Sequence, residues 1–264
     1  MEPSEFLRQT EALDISERGS KILEIAKTEF KSTALCENRP WNEDDVQRVR
    51  QFFIRVAPHV HHKIRPSYWE HLLITSQYAR KIAESIASTE ADPNEAEALG
   101  LLHDIGKIIT PDHYLRTDAL GRLLAIKAGV RMEVFEKIAP LNRILGISAL
   151  PVSTINDLSL PQIINHTSDN MGRKNSNGEL INVEDVLSLS SRKSSTDSIW
   201  YSERDGLTTL SKPGFEQWAN NLVLEEITSL KDKYHVDFGK IRSEVGHDVQ
   251  KPENTQWLLA VQNT

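Results

Sequence analysis

Two metal-binding side chains stand next to each other at His103-Asp104, with Ile105-Gly106-Lys107 directly behind them. Imidazole and carboxylate are donors that divalent transition metals accept. Neighbouring residues on a regular helix point about 100° apart, so both can address one ion only near a helix end. Gly106 is the expected stop, because glycine is favoured just past a helix C-terminus. Upstream, Asp92 is placed to cap the helix, Pro93 suits its first turn, and Glu95 would complete a capping box. Ala96, Leu99 and His103 then share one stripe, which presents His103 from the buried face of an apolar helix. By itself, a His-Asp pair is better explained by a core histidine bonded to a nearby carboxylate.

Two other helical segments carry matching donors. Tyr68 to about Ile86 reads as a helix whose apolar stripe is Leu72, Ala79, Ile82, Ala83 and Ile86, with His71 on its inner edge. Leu158 to Arg173 reads as a helix with Ser159 as cap, Pro161 in its first turn, and Ile163, Ile164 and Thr167 facing the core. His166 and Asp169 lie on an adjoining face, and an aspartate deep in a helix is disfavoured without a partner. Together His71, His103, Asp104 and Asp169 offer two imidazoles and two carboxylates from the inner sides of three helices. That donor set suits a divalent ion of the Mn, Fe, Co, Ni or Zn kind, with Mg also compatible, and leaves positions for water and substrate.

The remaining chain reads as a setting for this cluster. Residues 1 to about 38 are helical in pattern, and Asn42 caps a helix running to about Val56. His59, His61 and His62 form a histidine-rich connector with no carboxylate at helical spacing, and read as a surface loop. Leu120 to about Ile138 is an amphipathic helix, and Pro140 to Pro151 an apolar connector. The serine-rich stretch around residues 172–198 is a loop or lid. Ile199–Glu203 and Leu207–Leu210 flank Arg204-Asp205-Gly206, a hairpin signal. Phe215 to about Tyr234 is helical, and Trp257–Val261 fits a short strand or a last helical turn.

Composition narrows the function classes. The chain has 264 residues, 39% hydrophobic and 26% charged, with a net charge of −7. An acidic balance argues against a protein that coats nucleic acid, while a small anionic substrate remains compatible if a metal supplies positive charge. A single cysteine, Cys36, precludes an intrachain disulfide and fits a reducing compartment. The acidic start, Met1-Glu2-Pro3-Ser4-Glu5, and the lack of a long apolar run lead to the expectation of a cytoplasmic protein without a membrane span.

In order and context these motifs resemble the HD-domain superfamily of metal-dependent phosphohydrolases. The resemblance covers about residues 65–175 and rests on Trp69-Glu70-His71, Leu101-Leu102-His103-Asp104-Ile105-Gly106-Lys107 and Ser168-Asp169-Asn170. It implies a mainly α, HD-like helical bundle, a divalent metal held by His71, His103, Asp104 and Asp169, and hydrolysis of a phosphate ester, foremost of a nucleotide. Asp104 and Lys107 are the catalytic candidates, and Arg65, Arg116, His166 and Arg173 are secondary candidates for substrate contact. The glycine-tyrosine-proline signature of the cyclic-dinucleotide branch is not recognisable, and His113 and His166 do not stand where that branch places its extra histidines. The glutamate-aspartate continuation of some nucleotide hydrolases is also missing. The expected organisation is an N-terminal helical extension (1–57), the HD-like domain (58–190) and a C-terminal appendage of hairpin plus helix (191–264). A homo-oligomer is compatible with this plan. The rival readings are a non-catalytic HD-like scaffold and, behind it, a nuclease.

Overall fold

The computed structural model describes residues 17–86, 88–110, 114–138, 155–186 and 212–263. Among them run α1 (Glu17–Phe30), α2 (Glu43–Val56), α3 (Pro66–Ser85), α4 (Pro93–Leu102), α5 (Tyr114–Lys127), α6 (Met132–Ile138), α7 (Leu160–Met171), α8 (Lys212–Tyr234), α9 (Phe238–Asp248) and α10 (Pro252–Gln262). Short 3-10 turns occur at Ala57–His59, Ile105–Ile108 and Ile155–Asp157. The described residues contain no strand, only an antiparallel bridge between Lys174 and Leu180 around a turn at Gly178. The hairpin expected at Arg204-Asp205-Gly206 lies outside the described residues, as do the segments 1–16 and 139–154.

Local chemistry explains the helix starts. Asn42 accepts the Asp45 N–H, and Asp45 reaches back to the Asn42 N–H at 3.0 Å, closing a capping box on α2. Asp92 Oδ1 accepts from Asn94 N and Glu95 N. The box expected from Glu95 does not close, because its carboxylate instead pairs with Lys137 Nζ at 2.8 and 3.0 Å. Gln162 accepts the Ser159 N–H at the start of α7. The single helix expected over Leu120–Ile138 is broken in two at Gly129, whose φ of +86° ordinary side chains avoid.

α3 is the central element. Its expected one-sided stripe is instead burial all round: Trp69 and every residue from Leu72 to Ala79 are buried. A helix enclosed on every side lies between two layers. On one side Leu72, Leu73 and Trp69 join a core made by α1, α2, α4, α5 and α10. On the other, Ile74, Tyr78, Ala79 and Ile82 join a core made with α7, α8 and α9. The first core holds a chain of aromatics. Phe30 meets Phe52 at 4.8 Å, Phe52 meets Phe53 at 5.0 Å, and Phe53 takes the edges of Trp69 at 6.0 Å and Trp257 at 6.4 Å. Trp257 also donates its indole N–H to the Arg50 carbonyl. No helix among the described residues is long and apolar enough to cross a membrane.

A buried ionic cluster ties α2, α3, α4 and α10 together. Glu97 accepts Arg50 at 2.6 Å, Arg80 at 2.6 Å and Gln77 at 3.2 Å, and Arg50 also reaches Asn254. Removing one partner of a buried pair strands the other charge. Glu97→Ala should therefore lower unfolding free energy by about 3–5 kcal/mol in urea denaturation, whereas exposed Lys21→Ala should change it by less than about 1 kcal/mol. A small loss for Glu97→Ala would show that the cluster holds little.

Candidate metal centre

The donors come from three helices that meet on α3. α4 ends at Leu102, His103 takes the C-cap, and Asp104 follows with φ −108° and ψ 21°. This break lets the two adjacent side chains turn toward one point. Gly106 is not the helix stop expected from the sequence; it lies inside the 3-10 turn that follows. His71 sits in the second turn of α3, and Asp169 in the last turn of α7.

All four converge. His71 Nε2 lies 3.2 Å from His103 Nε2, 3.1 Å from Asp169 Oδ1 and 3.8 Å from Asp104 Oδ2. His103 Nε2 lies 3.2 Å from Asp104 Oδ2 and 3.4 Å from Asp169 Oδ1. His71, His103 and Asp104 each present a ligand atom within 4.8 Å of the others. The side chains of the four are between 7% and 19% exposed, so the cluster is sheltered yet reachable.

The imidazoles are aimed by backbone carbonyls. His71 Nδ1 donates to Gly172 O at 2.6 Å, and His103 Nδ1 donates to Gly100 O at 2.8 Å. Each bond fixes the proton on Nδ1 and turns Nε2 inward, as metal-binding histidines are oriented. The Tyr68 hydroxyl donates to Asp104 O at 3.1 Å, fixing the backbone at the pair. Lys174 Nζ bonds Glu70 at 2.6 Å, pinning the exit of α7 to α3 beside His71. The donor set of two Nε2 atoms and two carboxylates fits a divalent transition metal.

Electrostatics tell the same story. Burial works against a charge on His103, but the carboxylates of Asp104 and Asp169 outweigh it and push its pKa up to about 10. Burial alone would raise Asp104, yet Lys107 and His103 hold it well below the usual carboxylate range. Asp169 is likewise held low against burial by His103 and His71. The site attracts positive charge, and here a proton and the Lys107 ammonium, paired with Asp104 Oδ2, supply it.

Of the remaining sequence candidates, none among the described residues shares a hydrogen bond or ion pair with the four donors' ligand atoms in the contacts given above except Lys107. His166 turns to α8, where its Nδ1 meets both oxygens of buried Glu226 at 2.8 Å, so it belongs to the α7–α8 contact. Arg65 is the exposed N-cap of α3, and Arg173 directly follows the Gly172 carbonyl that holds His71. Arg116 and His113 lie outside the described side chains. The aiming carbonyls of Gly100 and Gly172 were invisible to motif reading, since a carbonyl carries no residue signature. A glycine three residues before His103 and another three after Asp169 were the available signal.

The unfolded chain releases the His103 proton near 6.5, and the folded metal-free site holds it to about 10. The resulting stability is complete below pH 6.5 and is lost as pH rises through about 10. The depressed Asp104 and Asp169 contribute stability above 3.8 that is lost as pH falls. With chelator present, the melting temperature should fall from pH about 6.5 to about 9, and Mn2+ added at the higher pH should raise it again. A metal-free melting temperature that is flat or rising over that window would refute this balance.

Residues 68–187 match the family model described as HD domain. No curated protein and no solved structure matches the chain. Across residues 68–187 the chain is thus similar to the HD domain, the helical module of a superfamily of metal-dependent phosphohydrolases.

Proposed function

We propose that this chain is a metal-dependent phosphohydrolase that cleaves a phosphate ester of a nucleotide or a related small molecule. The observation that carries the reading is the convergence of His71 Nε2 and His103 Nε2 on Asp104 and Asp169, with both rings aimed by carbonyls. These four residues would hold a Mn, Fe, Co, Ni or Zn ion, with Mg also compatible. When bound, such an ion supplies Lewis acidity toward a phosphoryl oxygen and lowers the pKa of water at the site.

The residues of the chain define the remaining roles. Asp104 Oδ2 faces both imidazoles and the Lys107 ammonium, so its charge is shared between the cation position and Lys107. Asp104 is held ionised by Lys107 and His103, which suits it to accept a hydrogen bond from water. Lys107, whose ammonium pairs with Asp104 Oδ2, would turn that ammonium to a phosphate oxygen as charge grows there. Arg65 and Arg173 stand on the two segments that flank His71, where a second phosphate or a sugar edge would lie. The segments 1–57 and 191–264 we read as cover for this module.

The test is release of inorganic phosphate from a nucleotide panel, with and without Mn2+ or Co2+. Asp104→Ala should cut the metal-dependent rate by at least about 10³-fold while the helical circular-dichroism signal persists. Lys107→Ala should retain metal binding and lose about 10²-fold in kcat. Undiminished turnover by Asp104→Ala would defeat the proposal. Stoichiometric metal without turnover on any phosphate ester would replace it with a non-catalytic HD module.

A further inference from the structure

Both aiming carbonyls belong to glycines, and both glycines press on α3: Gly100 on Ser76 and Thr75, Gly172 on Thr75. A Cβ at Gly100 would lie 2.7 Å from the Ser76 Cα and 3.2 Å from the Thr75 carbonyl oxygen. A Cβ at Gly172 would lie 2.0 Å from the Thr75 Oγ1 and 3.1 Å from the Thr75 Cβ. The backbone of Gly172 has φ −71° and ψ 38°, so no left-handed conformation demands glycine there. What demands it is the closeness of α3. Thr75 and Ser76 are fully buried, and Thr75 Oγ1 stands 3.5 Å from His71 Nδ1, beside the bond that Nδ1 makes to Gly172 O. Gly172 N also donates to Asp169 O, so the same residue ends the helix that carries Asp169.

We infer that Gly172 is a positioning residue for the metal centre: by letting the end of α7 close onto Thr75, it sets the carbonyl that fixes the ring of His71. Gly100 plays the matching part for His103 against Ser76. The inference rests on the proposed metal role of the cluster, but it concerns ring orientation, which can be read without metal.

The two contacts differ in a way that makes a test. At Gly100 the obstacle is the α3 backbone, which no substitution removes. At Gly172 the nearest obstacle is the end of one side chain. Gly172→Ala should therefore weaken Mn2+ binding, measured by titration calorimetry on the full chain, by at least about tenfold. Adding Thr75→Ala, which removes the Oγ1 contact and leaves the Thr75 Cβ and Ser168 O contacts at 3.1 Å, should recover a measurable part of that loss. In metal-free protein, nitrogen-15 NMR of the His71 ring should show Nδ1 protonated in the parent and in the double variant, and Nδ1 protonation reduced in Gly172→Ala. Parent-like affinity and tautomer in Gly172→Ala would overturn the inference. So would a loss that Thr75→Ala does not recover, since that would mark a general packing defect. If the parent binds no Mn2+, the metal reading fails, and the tautomer pattern alone decides the role of Gly172.

Discussion

Two ionised carboxylates and two imidazoles cannot be crowded into a sheltered point unless something compels them. Here the compulsion is the packing of α3 against α4 on one side and α7 on the other. His71 and Asp169 approach to 3.1 Å because the end of α7 meets α3 without an intervening side chain. The cost of the resulting negative charge is offset by Lys107 and by the proton on His103. A protein that tolerates such a cluster instead of filling the space with apolar side chains is poised to take a cation.

The same helix carries a second buried ionic arrangement at its other end. Gln77 and Arg80 of α3 meet Glu97 of α4 together with Arg50 of α2. Along α3, then, two polar clusters are interleaved with apolar side chains that face two separate cores. This division keeps the metal-side surface of α3 in register with α4, because Glu97 and His103 lie on one helix and its cap. Rotating or sliding α4 to relax one cluster would strand charge in the other.

Residue type made part of this legible beforehand. The His103-Asp104 pair at a helix end, the Asn42 and Ser159 starts, and Pro93 in a first turn all follow from local chemistry, and the helices begin there. His71 on the inner edge of its stripe and Asp169 deep in a helix were local hints, and their order and context in the HD pattern joined them to the pair. Long-range partners were beyond reach. His166 was read as a substrate contact because its partner, Glu226, lies 60 residues further on. Glu95 was assigned to its own helix start, whereas Lys137 claims its carboxylate. The break at Gly129 and the wrapped burial of α3 depend on what packs against them. α9 is different: Phe238, Ile241 and Val245 at spacings of three and four, with Asp237 as cap, form a readable pattern that the sequence reading passed over.

Trp257 closes against Phe53 and, across a separation of 207 residues, against the Arg50 carbonyl. So long a loop is slow to close, and its contacts form only after the intervening chain exists. On the ribosome, the aromatic group of Phe52, Phe53 and Trp69 therefore stays uncapped on one side until residues 252–262 emerge. A chain halted before residue 252 would by the same geometry leave the Trp257-facing side of Phe53 uncovered, open to chaperones and to neighbouring chains.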